Sequence, residues 1–271
     1  MTARTEDEPH VLLFVDILGF EAITREIRVR VQDYPPDERG FTGSGTTELQ
    51  GRFVRFSNVL DRHVFEESFG GGVQAMLFSD CAFLVYENAL RAALAAASLM
   101  RCFISRGVPV RIGLGKGTFY DVEYATSTTA DQSRVVSRSR FYGTAVIHAH
   151  AAEQCGGKGM RIFLHRSLDE DLPLIRNRLR PMKLRRPLKG VNYELDYLHE
   201  EGPALEKPSA DEEDRGLFAK VALLKNPAWP KKVLRQYAET FAAMNRMRRA
   251  NSRKRVAAHR LPCNAPHGTI G

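Results

Sequence analysis

Two aspartates stand where hydrophobic sequence should exclude them. Asp16 interrupts the run FVDILGF, and Asp80 lies in LFSDCAFLVY, each at or beside a turn. A carboxylate inside an apolar strand is costly unless a partner compensates it, and a cation is one such partner. Asp16 taken alone reads equally well as a strand end that caps the next helix. Two carboxylates that converge on one point repel each other unless cations sit between them. Magnesium suits such a pair, because it is hard, octahedral, and usually held by one or two carboxylates together with substrate phosphates. Two ions in that position would activate a hydroxyl and neutralise the charge on a phosphoryl group in transfer.

The elements around these residues decide whether the pair can meet. HVLLFVDILGF reads as a buried strand entering a turn, and EAITREIRVRVQ as a helix leaving it. The Pro- and Gly-rich stretch 33–47 reads as a loop, and ELQGRFVRFSNVLDRHVFEES has the apolar spacing of a helix. VQAMLFSDCAFLVYE splits into two strands around residues 79–80, a hairpin with Asp80 at its tip. An alanine-rich helix over 88–107 is capped by Asn88 and stopped by Gly107. VPVRIGLGKGTFYDVEY returns to strand, 126–140 reads as a polar loop, and a second helix starts near Gly143. MRIFLHRSL and VNYELDYL are short strands. This order predicts an α+β fold with helices on one face of a mainly antiparallel sheet. In a ferredoxin-like version the first strand lies beside the central hairpin, which would bring Asp16 to Asp80.

Composition narrows the partners. The 271 residues carry a formal net charge of +8, with 43% hydrophobic and 27% charged residues. No apolar run approaches the roughly 20 residues of a membrane-spanning helix, and MTARTEDEPH contains no apolar signal core, so a cytoplasmic protein is expected. Cys81, Cys102, Cys155 and Cys263 have no zinc-like spacing, and Cys81 and Cys102 are expected as buried, reduced thiols. Much of the positive excess is local, in RNRLRPMKLRR at 176–186 and NRMRRANSRKRVAAHR at 245–260. The basic tail lacks the interleaved aromatics of a single-strand platform, which argues against nucleic acid as a partner. The chain divides into a domain over 10–198, an acidic linker over 199–216, a basic helical extension over 217–260 and a disordered tail over 261–271.

In order along the chain, FVDILGF, LFSDCAFLVY, ALRAALAAASLMRCF, VPVRIGLGKG, FYGTAVIHAHAAE and RRPLKGVNYELDYL resemble the motifs of class III nucleotidyl cyclases. The resemblance implies that Asp16 and Asp80 bind two Mg²⁺ or Mn²⁺ ions, with the Ile17 carbonyl completing one shell. It implies that the amides of Leu18, Gly19 and Phe20 hold the β- and γ-phosphates, and that Lys189 binds the triphosphate. A solvated turn lysine is the plain alternative for Lys189. The family works as homodimers, with the metal aspartates of one subunit facing the late helix of the other.

The departures concern the base and the transition state. Adenylate cyclases of this class carry a lysine where Met76 stands and an aspartate where Arg140 stands. A methionine cannot donate to a purine nitrogen, and an arginine donates where an aspartate accepts. The late helix usually carries Asn and Arg where Ile147 and Ala151 stand; Arg111, Arg138, Arg140 and His150 are candidate replacements. Loss of the purine readers together with a basic helical tail resembles the Pycsar cyclases, bacterial anti-phage enzymes that make cyclic UMP or cyclic CMP for a separate effector. Arg140 then serves both base recognition and catalysis, and UTP is expected ahead of CTP. A purine cyclase with unusual contacts, or an inactive cyclase-like binding domain, are the competing readings.

Overall fold

A computed structural model describes residues 8–20, 48–68, 73–78, 80–127, 135–198, 210–225 and 231–259. Its first half is β1 (His10–Ile17), α1 (Glu48–Ser68), β2 (Gln74–Leu77), β3 (Cys81–Tyr86), α2 (Ala89–Ser105) and β4 (Val110–Gly117). These strands lie in the order β2-β3-β1-β4, all antiparallel, which is the split βαββαβ arrangement of a ferredoxin-like sheet. The central strand β1 is apolar on both sides because both its faces are covered. Its odd residues Val11, Leu13 and Val15 join the core built with α1 and α2, whereas Leu12 and Phe14 face a second cluster. Asn88 caps α2 by accepting the Arg91 N–H at 2.9 Å, and Gly107, at φ 75°, follows its end.

The second half runs β5 (Tyr120–Ser127), β6 (Val135–Tyr142), α3 (Thr144–Glu153), β7 (Ile162–His165), a 3-10 turn (Arg166–Asp171), α4 (Leu172–Arg176), β8 (Arg180–Leu188) and β9 (Val191–Asp196). β5 and β6 form a separate two-stranded ribbon, so 135–140 is strand where a polar loop was expected. β7 joins β4 in parallel, and β9 and β8 complete a seven-stranded sheet. The fold is α+β.

The expectation of helices on one face holds for α1 and α2, whose core α4 and the two C-terminal helices also join, but not for α3. α3 crosses the opposite face, and the sequence of β4 explains how. Gly113, Gly115 and Gly117 alternate along that strand, so one face of it has no side chains. A Cβ at Gly113 or Gly115 would run into the backbone of α3 at Ala149, and one at Gly117 would meet Thr144. Ala145 and Ala149 on the helix complete the close approach. Finally α5 (Ala210–Leu224) and α6 (Lys231–His259) pack Leu217, Val221, Tyr237, Met244 and Met247 into the main core. α5 begins inside the stretch read as linker, and both helices share the core of the residues before them.

Candidate active site

Asp16 lies at the end of β1, paired in the ladder with Cys81 of β3 and Arg111 of β4. Its even position places it on the α3 face. Asp80 sits between β2 and β3, and its carbonyl accepts the Ile17 N–H at 3.0 Å. Both aspartates are half-buried. The Asp16 carboxyl is pushed up from 3.8 to about 7, first by burial, then by the charge of Glu153, with Asp80 adding to the rise and Arg111 opposing it. The two aspartates are therefore close enough to feel each other, and among the described residues the balance of charge around Asp16 is short of positive charge.

Arg111 does not relieve that shortage, because it is already committed. Its guanidinium pairs with Glu153 at the end of α3, and its Nη1 donates to the Gly157 carbonyl at 3.0 Å. Glu153 is fully buried and also accepts from Gln154 at 2.5 Å. This pair ties the end of α3 to the strand beside Asp16. Arg111 is thereby removed from the candidates for a transition-state cation. Glu153 went unnoticed in the sequence; the signal was an arginine heading a glycine-striped strand and a glutamate ending an alanine-rich helix.

Leu18 corrects one expectation about phosphate donors. Its N–H donates to the Pro109 carbonyl at 2.9 Å and is not offered to a ligand. Gly19 adopts φ 75°, the left-handed turn the glycine permits. The thiols also differ from expectation: Cys81 and Cys102 are half-buried, whereas Cys155 is buried, and all three are free. Burial and the neighbouring Asp80 and Asp16 push the Cys81 thiol up to about 11.

Met76 pairs with Phe83 across the β2–β3 ladder and packs into the α3-face cluster with Phe14, Phe83 and Phe141. Phe14 and Phe83 lie 4.6 Å apart and Phe83 and Phe141 5.4 Å apart, so this end of the face is aromatic. Arg140 sits on β6 opposite Val122 and immediately before Phe141, which brings positions 76 and 140 to one region. The side chains of Arg138 and Arg140 lie outside the described residues, as do residues 21–47.

Lys189 is not brought to the aspartates. It is exposed on the β8–β9 turn, beside Gly190 at φ 70°. His165, which Val191 pairs with, stands at the far end of the sheet from Arg161 and Asp16. There Ala151, Gln154, His165, Arg166, Lys189 and Gly190 line a cavity of about 320 Å³ containing two cations and no carboxylate. His148 stacks on His165 at 4.3 Å, and burial together with His148 and Arg166 holds the His165 imidazole down at about 4. His150 meets Phe14 edge-on at 5.1 Å, while Ile147 is 65% exposed.

The donors fit a substrate-borne cation better than a protein-built cage. No group of three His, Cys, Asp or Glu side chains able to hold a metal occurs among the described residues. Two carboxylates and the Ile17 carbonyl are what magnesium takes when phosphates fill the remaining positions. A cation there would also offset the desolvation that raises Asp16.

No family model matches the chain, and neither does any curated protein. Among solved structures, the chain is similar to the non-canonical dimeric guanylyl cyclase domain of the RhoGC fusion protein from the aquatic fungus Blastocladiella emersonii. That likeness has 15% identity over 73% of this chain and 100% of the other, with a TM-score of 0.46. The guanylate cyclase domain of RhGC from Catenaria anguillulae, in complex with GTP, is 18% identical over 71% and 98% of the two chains, with a TM-score of 0.46. An adenylate cyclase from Trypanosoma brucei in its monomeric state is 12% identical over 76% and 94%, with a TM-score of 0.49.

Proposed function

We propose that this chain is a nucleotidyl cyclase that converts a pyrimidine nucleoside triphosphate, UTP ahead of CTP, into its 3′,5′-cyclic monophosphate and diphosphate. The observation that carries this reading is the approach of Asp16 and Asp80 at one end of a ferredoxin-like sheet, where the nearby arginine among the described residues, Arg111, is already paired with Glu153. Bound Mg²⁺ or Mn²⁺ would lower the pKa of the ribose 3′-hydroxyl and neutralise charge at the α-phosphate. The 3′-hydroxyl gives its proton to water, its oxygen bonds to the α-phosphorus, the bond from that phosphorus to the bridging oxygen breaks, and diphosphate leaves. Asp16, Asp80 and the Ile17 carbonyl would hold the cations, and Gly19 and Phe20 would present amides to the β- and γ-phosphates.

One copy supplies only half of such a site. The carboxylate end and the acid-free pocket of Lys189 and Arg166 stand at opposite ends of the sheet. Two copies in antiparallel array would set one end against the other, giving a homodimer with two shared sites. Leu77 and Phe78 at the hairpin tip and Ile147 on α3 are exposed apolar residues on the side such a partner would cover. Met76 in its aromatic cluster makes the base end apolar, and Arg140 can donate to a carbonyl but cannot accept from the cytosine amine, which favours uracil. A site that hydrogen-bonds one base rejects others, because a wrong base leaves buried polar groups unpaired. By resemblance, the product would signal to a separate effector in anti-phage defence.

The test is to incubate the protein with equimolar ATP, GTP, CTP and UTP and Mg²⁺ or Mn²⁺, and to identify products by mass spectrometry. Cyclic UMP is the expected main product. Predominant cyclic AMP or cyclic GMP refutes the pyrimidine assignment, predominant cyclic CMP only its order, and no cyclic product under either metal favours the inactive binding domain.

A further inference from the structure

The two basic stretches of the sequence, some sixty residues apart, come together in the fold. β8 and the middle of α6, from Glu239 to Ala250, form the walls of an open groove of about 1170 Å³. Its cations are Arg161, Lys183, Arg185, Arg186, Arg246 and Arg249, against two carboxylates, Glu194 and Glu239. Glu194 is committed inside the wall: Arg161 Nε donates to its Oε2 at 2.5 Å and Arg246 Nη2 to its Oε1 at 3.1 Å. That triad fastens α6 to the sheet and uses two of the six cations. Lys183, Arg185, Arg186 and Arg249 are exposed, and none is in an ion pair among the described residues.

We propose that this groove binds the phosphate backbone of a nucleic acid duplex, a site separate from the proposed catalytic one and independent of the cyclase reading. Four observations select that occupant. The volume exceeds the usual span of small-molecule pockets, about 300–1,000 Å³, and the groove is open rather than enclosed. Arginine predominates, and its planar fork matches phosphate oxygens in pairs. The uncommitted cations are spread along two walls, as a continuous polyanion requires. No aromatic side chain lines the groove, which excludes base stacking but leaves backbone contact intact.

Edge protection does not account for the whole arrangement. β8 is the last strand of the sheet, its register slips between Lys183 and Leu188, and a charged, bulged edge discourages strand pairing. That explains Lys183, Arg185 and Arg186. It does not explain Arg249 facing them from a helix.

The experiment is fluorescence anisotropy of the full chain with a labelled mixed-sequence duplex of about 20 base pairs, titrated from 50 to 200 mM salt. Expected is binding near the micromolar range and a log–log salt slope of about −3 to −4, from four phosphates neutralised at about 0.9 each. The triple variant Arg185→Glu/Arg186→Glu/Arg249→Glu should weaken binding at least about tenfold and flatten the slope by about 3. A control with the same net charge, Lys220→Glu/Lys231→Glu/Lys232→Glu, alters exposed lysines elsewhere and should stay within about threefold of the parent. Circular dichroism checks folding, and the milder Arg185→Gln/Arg186→Gln pair must show the same direction of loss. No binding at low salt overturns the proposal, as does equal loss in groove variant and control. It also fails if polyglutamate or inorganic polyphosphate binds while the duplex does not.

Discussion

Asp16→Asn should give a dead enzyme that is more stable than its parent. In the metal-free protein the Asp16 carboxyl titrates near 7 rather than 3.8. A group whose folded pKa is raised binds its proton more tightly in the native state. Stability is therefore highest below the unfolded value, falls as pH rises from about 4 to about 7, and is level above that. The full shift would be worth about 4 kcal/mol at 1.36 kcal/mol per unit; water access to a half-buried side chain brings this to about 2–4. Asparagine keeps the shape of the protonated acid and carries no charge to desolvate. The variant should match the parent near pH 4 and exceed it at pH 8 by that amount, or roughly 5–10 °C in Tm for a chain of this size.

The assay is thermal and urea unfolding followed by circular dichroism, both proteins in EDTA, from pH 4 to pH 8. Other carboxylates titrate in both proteins and cancel in the difference. Added Mg²⁺ with a non-hydrolysable triphosphate should stabilise the parent and leave the variant unmoved. A structural Asp16, held by hydrogen bonds and needed for the strand end, predicts the reverse: an asparagine variant that is less stable at every pH. Parallel pH profiles for the two proteins would refute the reasoning.

Three further outcomes are expected. Arg111→Met leaves Glu153 buried and unpaired and should cost about 3–5 kcal/mol in urea unfolding, whereas Arg111→Met/Glu153→Leu should recover most of the loss; equal costs would show that the pair is not coupled. Gly115→Ala places a methyl group against the backbone of His148 and Ala149; a loss of about 2 kcal/mol or more is expected, and an unchanged Tm would mean that α3 sits farther from β4 than described. Asp16→Ala and Lys189→Ala should each be inactive alone, yet an equimolar mixture should regain about a quarter of parental turnover, since half the dimers are mixed and each has one intact site of two. No recovery after subunit exchange contradicts shared sites.

The placement of Asp16 at a strand end and of Asp80 within a hairpin was legible because its signals are local. A carboxylate at the end of an apolar strand and another at a hairpin tip can be read within ten residues each, and the order of strands and helices supplies the rest. β6 was not legible: Ser137, Arg138, Ser139 and Arg140 belong to a two-stranded ribbon outside the main sheet, so they show no apolar alternation. The start of α5 was missed for a different reason. Acidic residues after Ala210 look like linker in composition, yet acidic sequence is compatible with a helix start and α5 begins at Ala210.

Charged residues committed inside the fold were the least legible, because their meaning depends on partners far along the chain. Arg111 reads as a candidate for catalysis until Glu153, 42 residues later, is found on it. Arg161 and Arg246 look like parts of a basic surface, but Glu194 binds both. Subtracting the committed cations changes the functional map. At the aspartate end the subtraction removes Arg111, so under the proposed function metal ions and cations from another copy would meet the charge of a triphosphate there. In the β8–α6 groove it leaves four arginine and lysine side chains exposed across from one another, a surplus the proposed catalytic site does not use. A net charge of +8 says nothing about either place until the pairs have been removed from it.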